Sequence, residues 1–483
     1  MHTEALRQRL ESLLGPGGVV SSPVELRTYE CDGLASHRVT PRLVVLPEST
    51  PQVQAVVRLC HDEGVPFVAR GAGTGLSGGA LPVAEGVLVA LTRMRRILEI
   101  DAPNRLVVVE PGVTNLAVSQ AVADRSLFYA PDPSSQLVCS IGGNVAENSG
   151  GAHCLKYGFT AHHVTALQVV LPDGEVVDLG GAADAPGYDL VGAFVGSEGT
   201  LGIATRITLR LMHRPEAVRT LLAGFASTDQ AGEAVSAVIA AGILPSAVEM
   251  MDALAMAAAE AAVGARYPPG AGAVLIVELD GPAVEVEEQS ASVQALCREA
   301  GSPAIRVAAD EAERARLWKG RKSAFAAVGR LSPDYYVQDG VVPRTALPAV
   351  LRRISELAAA AGLRVANVFH AGDGNLHPLV LYDAGVPGEA VRAEELAGRI
   401  LLTCLDHGGS LTGEHGVGAD KKAFMPRMFT AADLDTMQLL RCAFDPRGLA
   451  NPGKVFPTPR LCGEPPGPRR APPLERSGAA RVF

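Results

Sequence analysis

The sequence predicts an α+β protein of two domains, and three observations carry that expectation. The chain has 483 residues, too many for one hydrophobic core, since single cores stop growing at roughly 250–300 residues. Short apolar runs alternate with amphipathic stretches as far as about Arg214, which is the order of an α/β domain. That order breaks at 213–215, and a second strand–helix alternation follows, read as a sheet covered by helices. The domains are therefore expected at 1–214 and 215–457. Beyond them 458–483 reads as a loose tail, because GEPPGPRRAPPLER is rich in proline and poor in large apolar residues.

The first domain opens with a short helix and a loop through Gly15, Gly17 and Gly18. LVVL at 43–46 is a buried strand. In 51–64 the apolar positions Val53, Val56, Val57 and Leu59 recur at helical spacing and a glycine closes the run, so a helix lies on that strand. Strands follow at 65–69, 86–91 and 106–110, then a helix at 114–123. A hairpin spans 167–179, turning through Pro172, Asp173 and Gly174. In the second domain the pattern predicts a strand at 220–225, a helix at 229–241, a strand at 273–279 and a helix at 284–299. A further strand–helix set covers 335–408, and helices near 430–445 end the domain.

Composition excludes several classes. Apolar residues make up 47% of the chain and charged residues 20%, a globular balance. The net charge is −9 with no long lysine–arginine block, which argues against a nucleic-acid partner. The charged start MHTEALRQRL resembles neither a secretory signal nor a transit peptide, so a cytoplasmic location is expected. No window reaches the length of about 18 apolar residues that a spanning helix needs, although 253–263 is alanine-rich. Membrane contact would be peripheral. The eight cysteines never fall two or four residues apart, so iron–sulfur or local zinc spacing is missing, and they read as small buried hydrophobes.

Glycine-rich runs point to a large ligand. RGAGTGLSGG (70–79) has five glycines in nine positions after a strand, which leaves its backbone N–H groups open to a diphosphate. Gly73, Gly75 and Gly78 fit a dinucleotide fingerprint, but Pro82 follows too soon for a helix to open there, so a nicotinamide Rossmann site is disfavoured. SIGGNVAENSGG (140–151) and GSEGTLGI (196–203) repeat the combination of glycines with Ser, Thr and Asn. Pro131, Asp132 and Pro133 form a stiff corner able to set backbone atoms against a ring system. Three such loops in one domain imply one oxygen-rich ligand.

These motifs, with YECDGL (29–34), YAPDPSSQ (129–136) and HCLKYG (153–158), resemble the two-domain FAD-binding fold of the vanillyl-alcohol oxidase type. The resemblance continues through NVFHAGDGNLHPL (367–379), GEHGVG (413–418) and AFDPRGLANPGK (443–454), nearly the whole chain, and is strongest to the 2-hydroxy-acid dehydrogenases of that family, glycolate oxidases among them. It implies FAD, contacted by Gly71, Gly73, Thr74, Gly75, Ser77, Pro131, Ser140, Gly143, Asn144, Gly199 and Ile203. Asn451 would approach FAD from the C-terminal helices. The first glycine loop contains no His or Cys, so noncovalent FAD is expected.

His370 and His377 flank the tight GDG turn at 372–374, and Glu414 and His415 sit in a second glycine-bounded turn. Two imidazoles and a carboxylate leave an open position on a zinc-like ion. The resemblance implies the same roles: His370, His377 and Glu414 bind a divalent metal, and His415 takes the substrate's hydroxyl proton. An unperturbed imidazole titrates near neutrality, which suits that task. Arg321 aligns with an arginine that binds the substrate carboxylate in relatives, the bland alternative being a solvated helix-face arginine beside Lys319 and Lys322. Relatives acting on 2-hydroxyglutarate carry a lysine where this chain has Val337, so the expected substrate is a small monocarboxylate, glycolate or D-lactate.

The reduced flavin needs an outlet, and this chain has no cysteine cluster to provide one. The resemblance implies partners, a second flavin-domain subunit and an iron–sulfur subunit, delivering electrons to the membrane. A stand-alone D-lactate dehydrogenase is the alternative, and a non-catalytic flavin-binding relay subunit is the alternative of another class.

Overall fold

The computed structural model describes residues 2–181 and 187–457, so the tail expected at 458–483 lies outside the described residues. The chain divides into two compact units. Among the described residues, one comprises those up to Ser149, those within Phe159–His213 and 414–457; the other comprises Gly150–Gly158 and Arg214–Gly413. The sequence division at 214/215 had placed 150–158 and 414–457 on the opposite sides.

The first unit contains two sheets. In the smaller one, Leu43–Val45, Val87–Ala90 and Phe67–Arg70 lie parallel in that order, with Val19–Val20 antiparallel at the Leu43–Val45 edge. Strands covered on both faces read as unbroken apolar runs, and LVV and VLVA are such runs. The helix Thr50–Glu63 buries Val53, Val56, Val57, Leu59 and Cys60, and the helix Thr3–Leu14 buries Leu6 and Leu10. Both helices contribute to one apolar cluster with Leu43, Val45, Phe67, Val87 and Val89. Each such side chain is worth roughly 1.5–3 kcal/mol when fully buried. Gly64 closes the Thr50–Glu63 helix at φ 64, the left-handed cap for which glycine is the default residue.

The larger sheet is antiparallel, in the order Ile97–Asp101, Leu106–Val109, Ile203–Arg210, Val164–Val170, Val176–Gly180. The expected 167–179 hairpin is present, its turn closed by Gly174 at φ 85. The edge strand Ile97–Asp101 was not foreseen, because ILEID is only partly buried and shows no clean alternation. The last described stretch returns to the smaller sheet: Phe67 N–H donates to Leu449 O and Asn451 N–H to Phe67 O, at 2.9 and 2.8 Å.

The second unit is built on a nine-stranded sheet. Its main path runs Ala304–Val307, Ala217–Phe225, Ala273–Gly281, Ala247–Asp252, Arg364–His370, Asn375–Leu376, Gly340–Val341; Pro378–Tyr382 pairs with Arg364–His370 and with Asp334–Val337. The expected helices are found at Thr228–Ala240, Ala283–Glu299, Leu347–Ala361 and Glu389–Asp406. The sequence reading passed over Ala247–Asp252, Ala253–Val263, Ala304–Val307 and Glu311–Val328. Alanine dominates Ala253–Val263, so its apolar face has no pattern to read.

The Gly150–Gly158 segment is anchored within this unit by three polar side chains. His153 Nε2 lies 3.2 Å from Glu278 Oε1, Lys156 Nζ 2.5 Å from Asp280 Oδ1, and Tyr157 Oη donates to Asp280 Oδ2 at 2.8 Å. No helix among the described residues is long and apolar enough to cross a membrane. Among the described residues six cysteines are free, five of them buried as expected.

Candidate active site

The expected flavin loops fall in the first unit, and their close approaches explain their glycines. A Cβ on Gly71 would lie 2.1 Å from Ser140 Oγ, so only glycine lets the 70–79 loop pass this closely to the second motif. Gly73, Gly78 and Gly199 have φ of 71, 76 and 71, which side-chain-bearing residues avoid. Positions 71–76 are half-buried whereas 77–79 are buried, so the loop is anchored at its end and open along its body. Ser77 Oγ is fully buried without a hydrogen-bond partner. A glycine cradle with such an orphaned hydroxyl fits a phosphate-bearing ligand.

The second motif is not the loop the sequence suggested. Ile141–Glu147 is a short helix, and Ser140 caps it by accepting from Gly143 N–H at 3.3 Å. Asn144 and Asn115 form a buried pair: Asn115 Nδ2 donates to Asn144 Oδ1 at 3.1 Å and to Pro131 O at 3.0 Å. The pair ties the proline corner to the helix. Ile203 begins a strand and is buried. Thr74 and Gly75 sit beside YECDGL, since a Cβ on Gly33 would meet Gly75 O at 2.6 Å and Thr74 O at 2.8 Å. Asn451 is a cross-tie: its Nδ2 donates to Gly79 O at 2.9 Å and Glu198 O at 2.6 Å, and its Oδ1 accepts from Lys454 Nζ at 3.1 Å. It joins the first glycine loop to the third.

Two carboxylates that the sequence reading passed over lie under the closing turn of this unit. Glu198 accepts from Val417 N–H at 2.6 Å and Gly418 N–H at 2.7 Å. Burial pushes its carboxyl up, and burial together with the neighbouring Glu198 pushes Glu147 well above the usual range. Burial likewise lowers Lys454, to about 8. In the same turn His415 Nε2 lies 3.7 Å from Glu414 Oε1.

The second unit holds the histidines. His370 ends the strand Arg364–His370, the GDG turn reverses the chain, and His377 stands between the strands Asn375–Leu376 and Pro378–Tyr382. Their rings meet edge to face with centroids 5.0 Å apart. Both are buried. His370 Nδ1 is 2.6 Å from Glu249 Oε1, and Arg321 Nε donates to Glu249 Oε2 at 2.7 Å. Arg321 is only 2% exposed, so the solvated alternative falls. The Phe325 ring lies beneath its guanidinium and 5.8 Å from the His377 ring.

Asp339 organises the approach to the second turn. Its Oδ2 accepts from Thr412 Oγ1 at 2.5 Å and Gly413 N–H at 3.1 Å, and its Oδ1 is 3.9 Å from His377 Nδ1. Glu414 follows Gly413 by one peptide bond, which spans 3.8 Å between Cα atoms. Two imidazoles in edge contact, one with its Nδ1 engaged, suit a divalent ion in chemistry and number. Glu249 was missed. Its one signal was a charge inside the apolar run AVEMMD.

A flavin fold with a histidine-lined polar site defines an oxidoreductase, and the comparisons place it. The chain matches the "FAD linked oxidases, C-terminal domain" over 214–455 and the "FAD binding domain" over 41–180. It belongs to the FAD-linked oxidase family and is an FAD-dependent oxidoreductase. It is similar to the glycolate oxidase subunit GlcD of Escherichia coli (strain K12), at 52% identity over 95% of this chain and 92% of that protein. The glycolate oxidase subunit GlcD of Bacillus subtilis (strain 168) is 38% identical over 94% and 97%. A D-lactate dehydrogenase of Anaerostipes hadrus is 32% identical over 86% and 90%.

Solved structures bear out the fold as the vanillyl-alcohol oxidase type. p-Cresol methylhydroxylase with substrate bound gives a TM-score of 0.80 at 20% identity, over 94% of this chain and 96% of that one. The 4-ethylphenol oxidase of Gulosibacter chungangensis gives 0.75 at 21%, over 94% and 97%.

Proposed function

We propose that this chain oxidises glycolate to glyoxylate, with FAD as the first electron acceptor and a divalent metal at the reacting end. The observation that carries the reading is the buried group of His370, His377, Glu249 and Arg321 in the second unit. It combines metal-ligating imidazoles with a guanidinium, the pieces needed to grip the hydroxyl and carboxylate of a 2-hydroxy acid.

His370, His377 and Glu414 are the metal ligands, and His415 accepts the hydroxyl proton. Gly71, Gly73, Thr74, Gly75, Ser77, Pro131, Ser140, Gly143, Asn144, Gly199 and Ile203 hold FAD, and Asn451 fixes the loops that do so. When bound, FAD would supply hydride acceptance at the substrate carbon, and the ion held by these ligands would supply stabilisation of negative charge on the substrate oxygen. Arg321 donates Nε–H to Glu249 Oε2 and its Nη2 lies 2.6 Å from the same oxygen as an ion pair, so its Nη1 end is the part offered to the substrate carboxylate. Val337, buried in its strand, presents no second cation and favours a small monocarboxylate.

The glycolate oxidase relatives are named as subunits, which supports a multi-subunit assembly. In this reading a second flavin-domain subunit and an iron–sulfur subunit take the electrons and hold the chain at the inner membrane. Stand-alone D-lactate oxidation is the second reading, favoured by the D-lactate dehydrogenase relative. Anaerobic bleaching of the FAD-loaded chain tests both: glycolate should bleach the flavin fastest, and chelation should abolish the reaction. Faster bleaching by D-lactate selects the second reading, and bleaching insensitive to chelation removes the metal.

A further inference from the structure

Glu249 occupies a position that ordinary packing does not explain. It sits in the strand Ala247–Asp252 with buried apolar residues on both sides and is 1% exposed. Placing a carboxylate there costs several kcal/mol unless its oxygens are fully used. They are. Oε1 faces His370 Nδ1 at 2.6 Å, and Oε2 lies 2.7 and 2.6 Å from Arg321 Nε and Nη2. Sheet register makes the first contact unavoidable, because Glu249 and His370 are direct cross-strand partners. Arg321 reaches Oε2 from the helix Glu311–Val328. One carboxylate thus joins an imidazole to a guanidinium, and each oxygen serves a different partner.

We propose that Glu249 is a positioning residue that sets the tautomer of His370 and the orientation of Arg321 together, an inference that rests on the metal-assisted reading above. A carboxylate only accepts hydrogen bonds, so the proton of neutral His370 is held on Nδ1 and Nε2 is the ring nitrogen able to ligate an ion. Charge balance follows as well. The buried Arg321 cation is neutralised along its Nε–Nη2 edge, and Nη1 stays aligned for a ligand carboxylate instead of turning toward the protein. Metal affinity and carboxylate recognition are therefore linked through one side chain.

Two substitutions separate this role from simple packing. Glu249→Gln keeps the shape but not the chemistry. Arg321 can only donate, so the amide oxygen must face it, and the NH2 group is left facing His370 Nδ1. That nitrogen must then accept, which moves the proton to Nε2 and blocks ligation. Glu249→Asp is the poorer fit in length yet keeps two accepting oxygens. In the FAD-loaded full-length chain, Zn²⁺ affinity measured by competition with a chelating dye should fall about 10–100-fold in Glu249→Gln. It should fall less in Glu249→Asp, with FAD content unchanged in both. Equal affinity in wild type and Glu249→Gln, or weaker binding in Asp than in Gln, overturns the proposal while leaving the metal reading intact. Absence of stoichiometric Zn²⁺ binding in the wild type overturns both.

Discussion

Glu147 is the residue whose chemistry is least expected from its neighbours in sequence. A Cβ on Gly79 would lie 2.3 Å from its Oε1, and one on Gly416 would lie 2.2 Å from its Oε2, so two glycines make room for one carboxyl group. Oε2 is shielded from solvent without a hydrogen-bond partner. Burial first, and the charges of Glu198 and Asp32 next, raise its pKa, against the pull of Lys421 and Lys454. A group with a raised folded-state pKa binds more protons folded than unfolded, so its contribution to stability falls as pH rises above the ordinary value of 4.5. Glu147→Gln removes that penalty. Its thermal midpoint should therefore decline less than that of the wild type between pH 5 and 8; parallel curves would refute the assignment. Residues of this kind were hidden in the sequence because AEN and SEG read as ligand-loop text. His370 and His377 were visible because a GDG turn brackets them, whereas nothing within AVEMMD reveals that Glu249 faces a histidine more than a hundred positions away.

Among elements, the helix Ile141–Glu147 shows how local chemistry and close packing combine. Glycine at 142 and 143 argues against a helix interior by roughly 1 kcal/mol each relative to alanine, which is why the motif reads as a loop. Tertiary context overrides that preference: a Cβ on Gly142 would strike Pro111 at 2.6 Å, so the helix lies closer to its neighbour than any other residue would allow. Ser140 caps it, and losing such a cap costs about 1 kcal/mol. Ser140→Ala should therefore destabilise the protein by about that amount in chemical denaturation. Gly71→Ala should cost about 1–3 kcal/mol through overpacking against Ser140 Oγ. The double variant should cost less than the sum, because removing the hydroxyl leaves Ser140 Cβ at 3.4 Å from the new methyl group. Strict additivity would mean that the two motifs do not touch in solution. The long strands and periodic helices of both units were legible because their apolar spacing is regular; the half-buried edge strand and the alanine-rich helix were not, for want of contrast between faces.

For the whole molecule, the cofactor and the chain's path are the governing features. FAD binds only the folded first unit in this scheme, so it should raise the melting temperature of flavin-stripped protein in proportion to the logarithm of its concentration. The expected gain is about 2.7 kcal/mol at a hundredfold excess over Kd. NAD should give no shift, since Pro82 leaves no helix behind the first glycine loop; an equal shift with both would sink the flavin assignment. The two units do not follow one another along the chain. It passes between them after residues 149, 158, 213 and 413, and Asn451 from the far end knits together loops at 79 and 198. A gene cut once at 213 would encode neither unit whole. New substrate preferences in this lineage must then arise by point substitution or by inserting a block into an unbroken host, and a laboratory chimaera that joins the front of one parent to the back of another inherits mismatched pieces beneath its flavin loops.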